Sequence, residues 1–118
     1  ISSVHGQVTW VHRRMLPYSA GKGGLNMFTK ALGVEVAKYG IRVNAVAPGT
    51  TETPGLYNDA RDIGDVAAGL AGFLALQPLK RFGRSEEIAH MCPLMLASDD
   101  ASFVYGAVWM ADGAYTIV

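Results

Sequence analysis

One cysteine, Cys92, stands in 118 residues, so no disulfide can close within the chain. Basic and acidic side chains cancel at ten each, which removes any broad electrostatic reason to bind nucleic acid or an anionic membrane. No apolar run approaches the roughly 20 residues that cross a bilayer, and no basic-then-apolar leader opens the chain. These absences lead to the expectation of a soluble cytoplasmic protein with no nucleic-acid and no membrane partner. Metal is expected to be absent too, because His12, His90 and Cys92 lack the spacing of ligand pairs. Cys92, among apolar neighbours on a helix, reads as a packing residue rather than a nucleophile. There is no internal repeat, low-complexity tract or second-domain boundary. What is abundant is hydrophobic surface, 50% of residues, enough for one packed core.

The apolar pattern divides the chain into alternating elements. Ile1 to Val4 reads as a strand end, followed by a loop to Pro17. From Tyr18 to Lys38, Leu25, Phe28, Leu32 and Val36 recur at helical spacing, and Met27, Ala31 and Val34 widen the stripe. Such a broad apolar helix is expected to be covered by a sheet on one side and another subunit on the other. Gly21, Gly23 and Gly24 near its start signal either a frayed first turn or close approach by a cofactor or partner helix. Gly40 suits the left-handed residue that closes it. Ile41 to Ala47 alternates like a buried strand, ended by Pro48-Gly49. Thr50 to Gln77 lacks a sustained period until a short helix over Val66 to Leu76, and is a candidate lid. Ser85 reads as the N-cap of a helix whose apolar face is Ile88, Met91, Cys92, Met95 and Leu96, and Ala107 to Met110 as a last strand. This order implies an α/β chain with parallel strands joined by crossovers.

Tyr18-Ser19-Ala20-Gly21-Lys22 carries the chemistry. Positions four apart on a helix share a face, so the Lys22 ammonium is placed near the Tyr18 ring. A neighbouring cation favours the phenolate form of a phenol, which equips Tyr18 to exchange a proton with an alcohol or ketone. Ligands of open parallel sheets bind beyond the carboxyl ends of the strands. Ser3, Pro48 and Gly49 fall on that edge.

Taken in order, Ser2-Ser3, Tyr18 with Lys22, Ile41-Arg42-Val43-Asn44-Ala45-Val46-Ala47-Pro48-Gly49 and Ala111-Asp112-Gly113 resemble the C-terminal half of a short-chain dehydrogenase/reductase, over nearly the whole chain. Within that family the sugar-, diol- and cyclic-alcohol dehydrogenases, including the glucose dehydrogenase-like ones, are most similar. The resemblance implies the C-terminal half of a doubly wound parallel-sheet Rossmann fold. Residues 1–118 then form the C-terminal part of a single domain whose amino-terminal dinucleotide-binding half lies outside them, and this fragment alone is expected to be inactive. It further implies an oxidoreductase using NAD or NADP, a small-molecule alcohol or ketone substrate, and a homo-oligomer, dimer or tetramer. The choice between NAD and NADP rests with residues outside the chain.

Carried over residue by residue, Tyr18 is the general acid/base, Lys22 supports the phenolate and holds the nicotinamide ribose, and Ser3 orients the substrate oxygen. The family's usual serine-to-tyrosine interval, counted back from Tyr18, lands on His5, while Ser3 lies two residues further upstream. An insertion within Val11 to Leu16 reconciles the two, and His5 stays as an alternative hydrogen-bond donor. Pro48, Gly49 and Thr53 match the turn that holds the nicotinamide carboxamide. Thr51, like Thr50, offers a competing hydroxyl, with capping or turn bonding as the plain role of all three. Asn44 matches a structural position beside that turn, and Ala114 replaces a glycine of the family's Asp-Gly-Gly. A 3-oxoacyl thioester reductase and a non-catalytic nucleotide-binding scaffold are the alternative functions.

Overall fold

The computed structural model describes residues 1–10 and 13–118, apart from the side chain of Leu96. After a 3-10 turn at Val4–Gly6, helix α1 spans Leu16–Ala37 and strand β1 spans Ala45–Pro48. Helices α2 (Pro54–Asp62), α3 (Val66–Ala75) and α4 (Ser85–Ala97) follow, then a 3-10 turn at Asp99–Ala101 and strand β2 (Val108–Ala111). The two strands pair in parallel, Ala45 opposite Val108 and Pro48 opposite Ala111, so α2 to α4 form the crossover between neighbours. This is the α/β architecture of a partial Rossmann fold.

Three expectations need correction. Ile1 to Val4 is not a strand of the sheet: Ser2 N–H donates to Val46 O at 2.7 Å, but the chain then turns into the 3-10 segment and no ladder forms. The alternation over Ile41 to Ala47 yields a strand only from Ala45; upstream of it, two side chains bond to α4 and the segment after it. The Arg42 guanidinium donates to Met95 O, Ala101 O and Ser98 O, supplying positive charge to the carbonyl end of α4, where it is favourable. Asn44 donates to Val104 O at 2.9 Å and Met95 O at 3.3 Å, and accepts from Ala107 N–H at 3.0 Å. Finally, the cap of α4 is Arg84 rather than Ser85. The Glu87 carboxylate accepts from Arg84 N–H, while the Ser85 hydroxyl donates to Glu52 O at 3.2 Å.

Helix α1 packs on the first 3-10 turn and on the segment before β2 through small and polar groups. Its buried residues are Asn26, Thr29 and Gly33, whereas Met27, Phe28 and Val34 of the predicted apolar stripe are 63%, 59% and 79% exposed. A Cβ on Gly33 would stand 3.0 Å from the Gly106 nitrogen, so the helix and the segment before β2 touch backbone to backbone. Gly21 and Gly24 have open space beside them. The helix ends as expected, with Gly40 at φ 70°.

The segment from Thr50 to Gln77 holds more structure than its composition suggests. Thr53, extended, caps α2 by accepting Leu56 N–H, and Pro54 begins the helix where its missing N–H costs nothing. The stretch from Thr50 shows no sustained period before Val66, yet Thr-Pro at a helix start is the signal that identifies α2. Helices α2 and α3 pack together, with Leu56, Ala60 and Phe73 buried and Trp10, Val66, Leu70 and Phe82 against them. The α3 expectation is met within one residue.

Past β2, Asp112 accepts from Ala114 N–H, Thr116 N–H and the Thr116 hydroxyl, forcing a tight turn in which Ala114 takes φ 71°. A Cβ in this region is strained by about 1–2 kcal/mol. Ala114→Gly should therefore raise the unfolding free energy of the whole protein in urea titration by up to about 1 kcal/mol, once the added freedom of the unfolded chain is subtracted. Asn44→Ala should lower it by roughly 2 kcal/mol or more, since it leaves Val104 O and Ala107 N–H without their partner. Neutral effects at both positions would contradict the account.

Candidate active site

Ser3, His5, Tyr18, Lys22, Pro48, Gly49, Thr51 and Thr53 all line one cavity of about 700 Å³. The carboxyl end of β1, the amino-terminal turns of α1 and the start of α2 meet there. The sequence expectation thus places in one cleft groups that are up to fifty residues apart in the chain.

Lys22 and Tyr18 sit as the helical spacing requires. The Lys22 ammonium lies 5.6 Å from the centroid of the Tyr18 ring and donates to Ile1 O at 3.0 Å. An ammonium has three donors, and two have no acceptor among the described residues. Tyr18 is 46% exposed and opens onto the cavity.

Ser3 is buried, and its Oγ accepts from His5 N–H at 3.2 Å, capping the 3-10 turn. That bond leaves the hydroxyl proton unspent. Ser2 is committed elsewhere, its hydroxyl donating to Asn26 Oδ1 on α1. His5 Nδ1 lies 3.2 Å from Val8 O. A carbonyl only accepts, so Nδ1 carries the proton and Nε2 presents a lone pair. Burial pushes the imidazole below its ordinary value; the bond to Val8 opposes this and the Arg13 charge adds to it. A neutral His5 in this tautomer accepts hydrogen bonds at Nε2 and donates none there. The insertion expected within Val11 to Leu16 falls partly outside the described residues, at Val11 and His12.

The strand-end turn is tightly built. Gly49 N–H continues the ladder to Ala111 O at 3.0 Å, and a Cβ there would meet Asp112 Cα at 2.8 Å. The Thr51 hydroxyl donates to Gly49 O. The Gln77 amide, oriented to satisfy its surroundings, donates to Asp112 O and accepts from Thr50 N–H and the Thr50 hydroxyl. Thr53 Oγ1 accepts from Leu56 N–H and keeps its proton. Of the three threonines, Thr53 alone has a hydroxyl proton with no acceptor among the described residues.

Several cavity residues were not anticipated. Trp10 stacks on Phe73 at 5.1 Å. His5 meets Trp10, Tyr18 and Tyr115 with ring centroids 6.1, 6.1 and 6.3 Å away. Burial raises the Tyr115 phenol above its ordinary value, which keeps this second phenol protonated. An aromatic in a loop has no periodicity to mark it, and only the fold shows that Trp10, Phe73 and Tyr115 converge. Cys92 lies apart from this cleft on α4, its thiol 3.6 Å from Ile88 O.

Comparison with known proteins sets this geometry in a family. The family model described as "Enoyl-(Acyl carrier protein) reductase" matches residues 1–116. Cis-4-hydroxycyclohexanecarboxylate dehydrogenase of Sinomonas cyclohexanicum is 43% identical over 121 aligned positions, covering 100% of this chain and 44% of that protein. The crystal structure of a short chain dehydrogenase family protein from Francisella tularensis superposes with TM-score 0.85 at 30% identity, covering 99% of this chain and 49% of that one. A solved structure from Agrobacterium tumefaciens with bound NADP, provisionally assigned as a 2-deoxy-D-gluconate 3-dehydrogenase, gives TM-score 0.81 at 34% identity over 97% of this chain and 44% of that one. The chain thus spans less than half the length of these relatives. By the extent of these matches, the chain belongs to the short-chain dehydrogenase/reductase family.

Proposed function

We propose that the protein carrying residues 1–118 interconverts a secondary alcohol and a ketone, with NAD or NADP as hydride carrier. The observation that carries the reading is the meeting of Tyr18, Lys22 and Ser3 at one cavity, the ammonium over the phenol ring. The unspent donors fit a nicotinamide nucleoside: two on Lys22 for ribose oxygens and the Thr53 hydroxyl for the carboxamide oxygen. Pro48, Gly49 and Thr51 form the adjoining wall. When bound, the nicotinamide accepts the hydride in oxidation and returns it in reduction.

The chain's own groups handle the oxygen and its proton. In the oxidising direction the Ser3 hydroxyl donates to the substrate oxygen and orients it, and Tyr18 as phenolate takes the hydroxyl proton while the carbinol C–H leaves as hydride. Reduction reverses both transfers. Lys22 places a fixed positive charge beside the phenolate as it forms. His5 is assigned an accepting role on the cavity wall.

The relative named for a hydroxycyclohexane substrate favours a cyclic alcohol, and the aromatic wall of Trp10, Phe73 and Tyr115 suits a compact ring. A thioester reductase is tested by offering a cyclic diol against a 3-oxoacyl thioester. A cytoplasmic location rests on the single cysteine. Among the described residues no helix is long and apolar enough to cross a membrane. The exposed Met27, Phe28 and Val34 of α1 support a homo-oligomer, and a monomer by light scattering at micromolar concentration would contradict it.

Tyr18→Phe in the whole protein should lower kcat on the order of a hundredfold or more, the usual contribution of an acid/base group, with nucleotide affinity nearly unchanged. Retention of over about a tenth of turnover overturns the assignment. Lys22→Met should damage both turnover and the KM for cofactor. Ser3→Ala should lower kcat sharply while His5→Ala stays mild, and steady-state kinetics showing the reverse order would reassign the orienting role to His5.

A further inference from the structure

Arg13 occupies an unusual position in the cavity wall. Its guanidinium carbon lies 5.8 Å from the Trp10 ring centroid and 5.5 Å from that of Phe73, so the planar cation rests on the stacked aromatic pair. Its side chain is only 24% exposed, and its one charged partner among the described residues is Asp59 on α2, with Nη1 to Oδ2 at 3.6 Å and the carboxylate 58% exposed. That separation exceeds hydrogen-bond length. The guanidinium has five N–H donors, and none makes a hydrogen bond to any described residue. A stacked, half-buried cation with unsatisfied donors facing a cavity is built to receive an anion. A solvent-exposed latch to Asp59 would be worth at most about 1 kcal/mol, which leaves the aromatic stacking and the partial burial without a reason.

The position relative to the chemistry narrows the anion. Tyr18 contacts His5, His5 contacts Trp10, and Trp10 carries Arg13, so the cation stands across the cavity wall from the acid/base phenol. The surface between them is aromatic. A ligand spanning that interval presents a hydroxyl at one end, an apolar body, and an anionic group at the other. A singly charged planar group matches one guanidinium fork, and the nearby Asp59 disfavours a dianion.

Resting on the alcohol dehydrogenase reading above, we propose that Arg13 is a specificity residue that binds a carboxylate on the substrate, remote from the reacting hydroxyl, with Asp59 as its partner when the cavity is empty. The favoured substrates are hydroxy acids in which a ring separates the alcohol from the carboxylate. Binding exchanges the long contact to Asp59 for a bidentate pair. Asp59 thereby competes with the substrate for Arg13.

The test uses the whole protein and an unreactive acid, cyclohexanecarboxylate, titrated calorimetrically, so that its outcome does not depend on turnover. Wild-type protein should bind it, and Arg13→Gln should bind it on the order of tenfold or more weakly, as loss of a charge-assisted pair requires. Asp59→Asn, an exposed substitution that leaves Arg13 in place, should bind it more tightly. Equal affinity of wild type and Arg13→Gln, or unchanged or weaker binding by Asp59→Asn, overturns the proposal. In a parallel assay, Arg13→Gln should raise the KM for 4-hydroxycyclohexanecarboxylate about tenfold while changing that for cyclohexanol less than about threefold. Equal changes for both substrates overturn it as well. Absence of any alcohol oxidation, with the acid still bound through Arg13, would refute the dehydrogenase reading and leave the carboxylate site standing.

Discussion

The buried amide of Gln77 is the constraint on which the site depends. Only 2% exposed, it joins Thr50, just past β1, to Asp112, just past β2. The two parallel strands therefore do not simply end at their carboxyl edge; their exits are held together there by one side chain. Gly49 lies so close to Asp112 that no Cβ fits between them. Strand-end turns fixed in this way give the cavity a rigid floor, which the proposed proton transfer would need because efficiency falls steeply with misplacement. An apolar residue in place of Gln77 would take away the acceptor of both the Thr50 N–H and the Thr50 hydroxyl.

A second set of polar contacts performs the same service at the other end of the sheet. Asn44 and Arg42 collect the carbonyls of α4 and the following loop, and Asn44 also receives Ala107 N–H ahead of β2. Between these two fastenings β1 is almost wholly buried, so the sheet is locked at both ends while the cavity at its carboxyl edge stays open. The cavity wall is assembled from the other direction. Trp10 reaches in from the loop before α1 and stacks on Phe73 of α3, linking the segment that bears Ser3 to α3.

The chemistry divides along the same line. Lys22 and Tyr18 belong to one helix, so their approach is a local property of the chain and survives any rearrangement that keeps α1. Ser3 and Thr53 enter from different segments, and each uses its oxygen to accept a backbone N–H while retaining a proton to give. Cap residues that keep a free donor do two jobs: they begin a helical turn and point a hydroxyl into the cleft. Thr51, by contrast, gives its proton to Gly49 O and contributes turn geometry.

What the sequence determined by itself was whatever depends on short-range geometry: the Tyr18 and Lys22 pair on one helical face, the stop at Gly40, the short helix from Val66, and the parallel α/β order implied by alternating elements. Helix α2 was legible in Thr53-Pro54 but was obscured by the proline and glycine that usually mark loops. Only the tertiary structure decided which side chains serve packing and which face the cavity. It spends Ser2 on Asn26 and leaves Ser3 with a free proton, fixes the His5 tautomer through Val8, and turns the apolar stripe of α1 partly outward, because Gly33 must meet Gly106 at backbone distance. It also sets Arg13 on two aromatic rings from distant segments. No periodicity encodes such a meeting, since contacts between loops depend on how the whole chain closes, and a sequence records only which residues are available to make them.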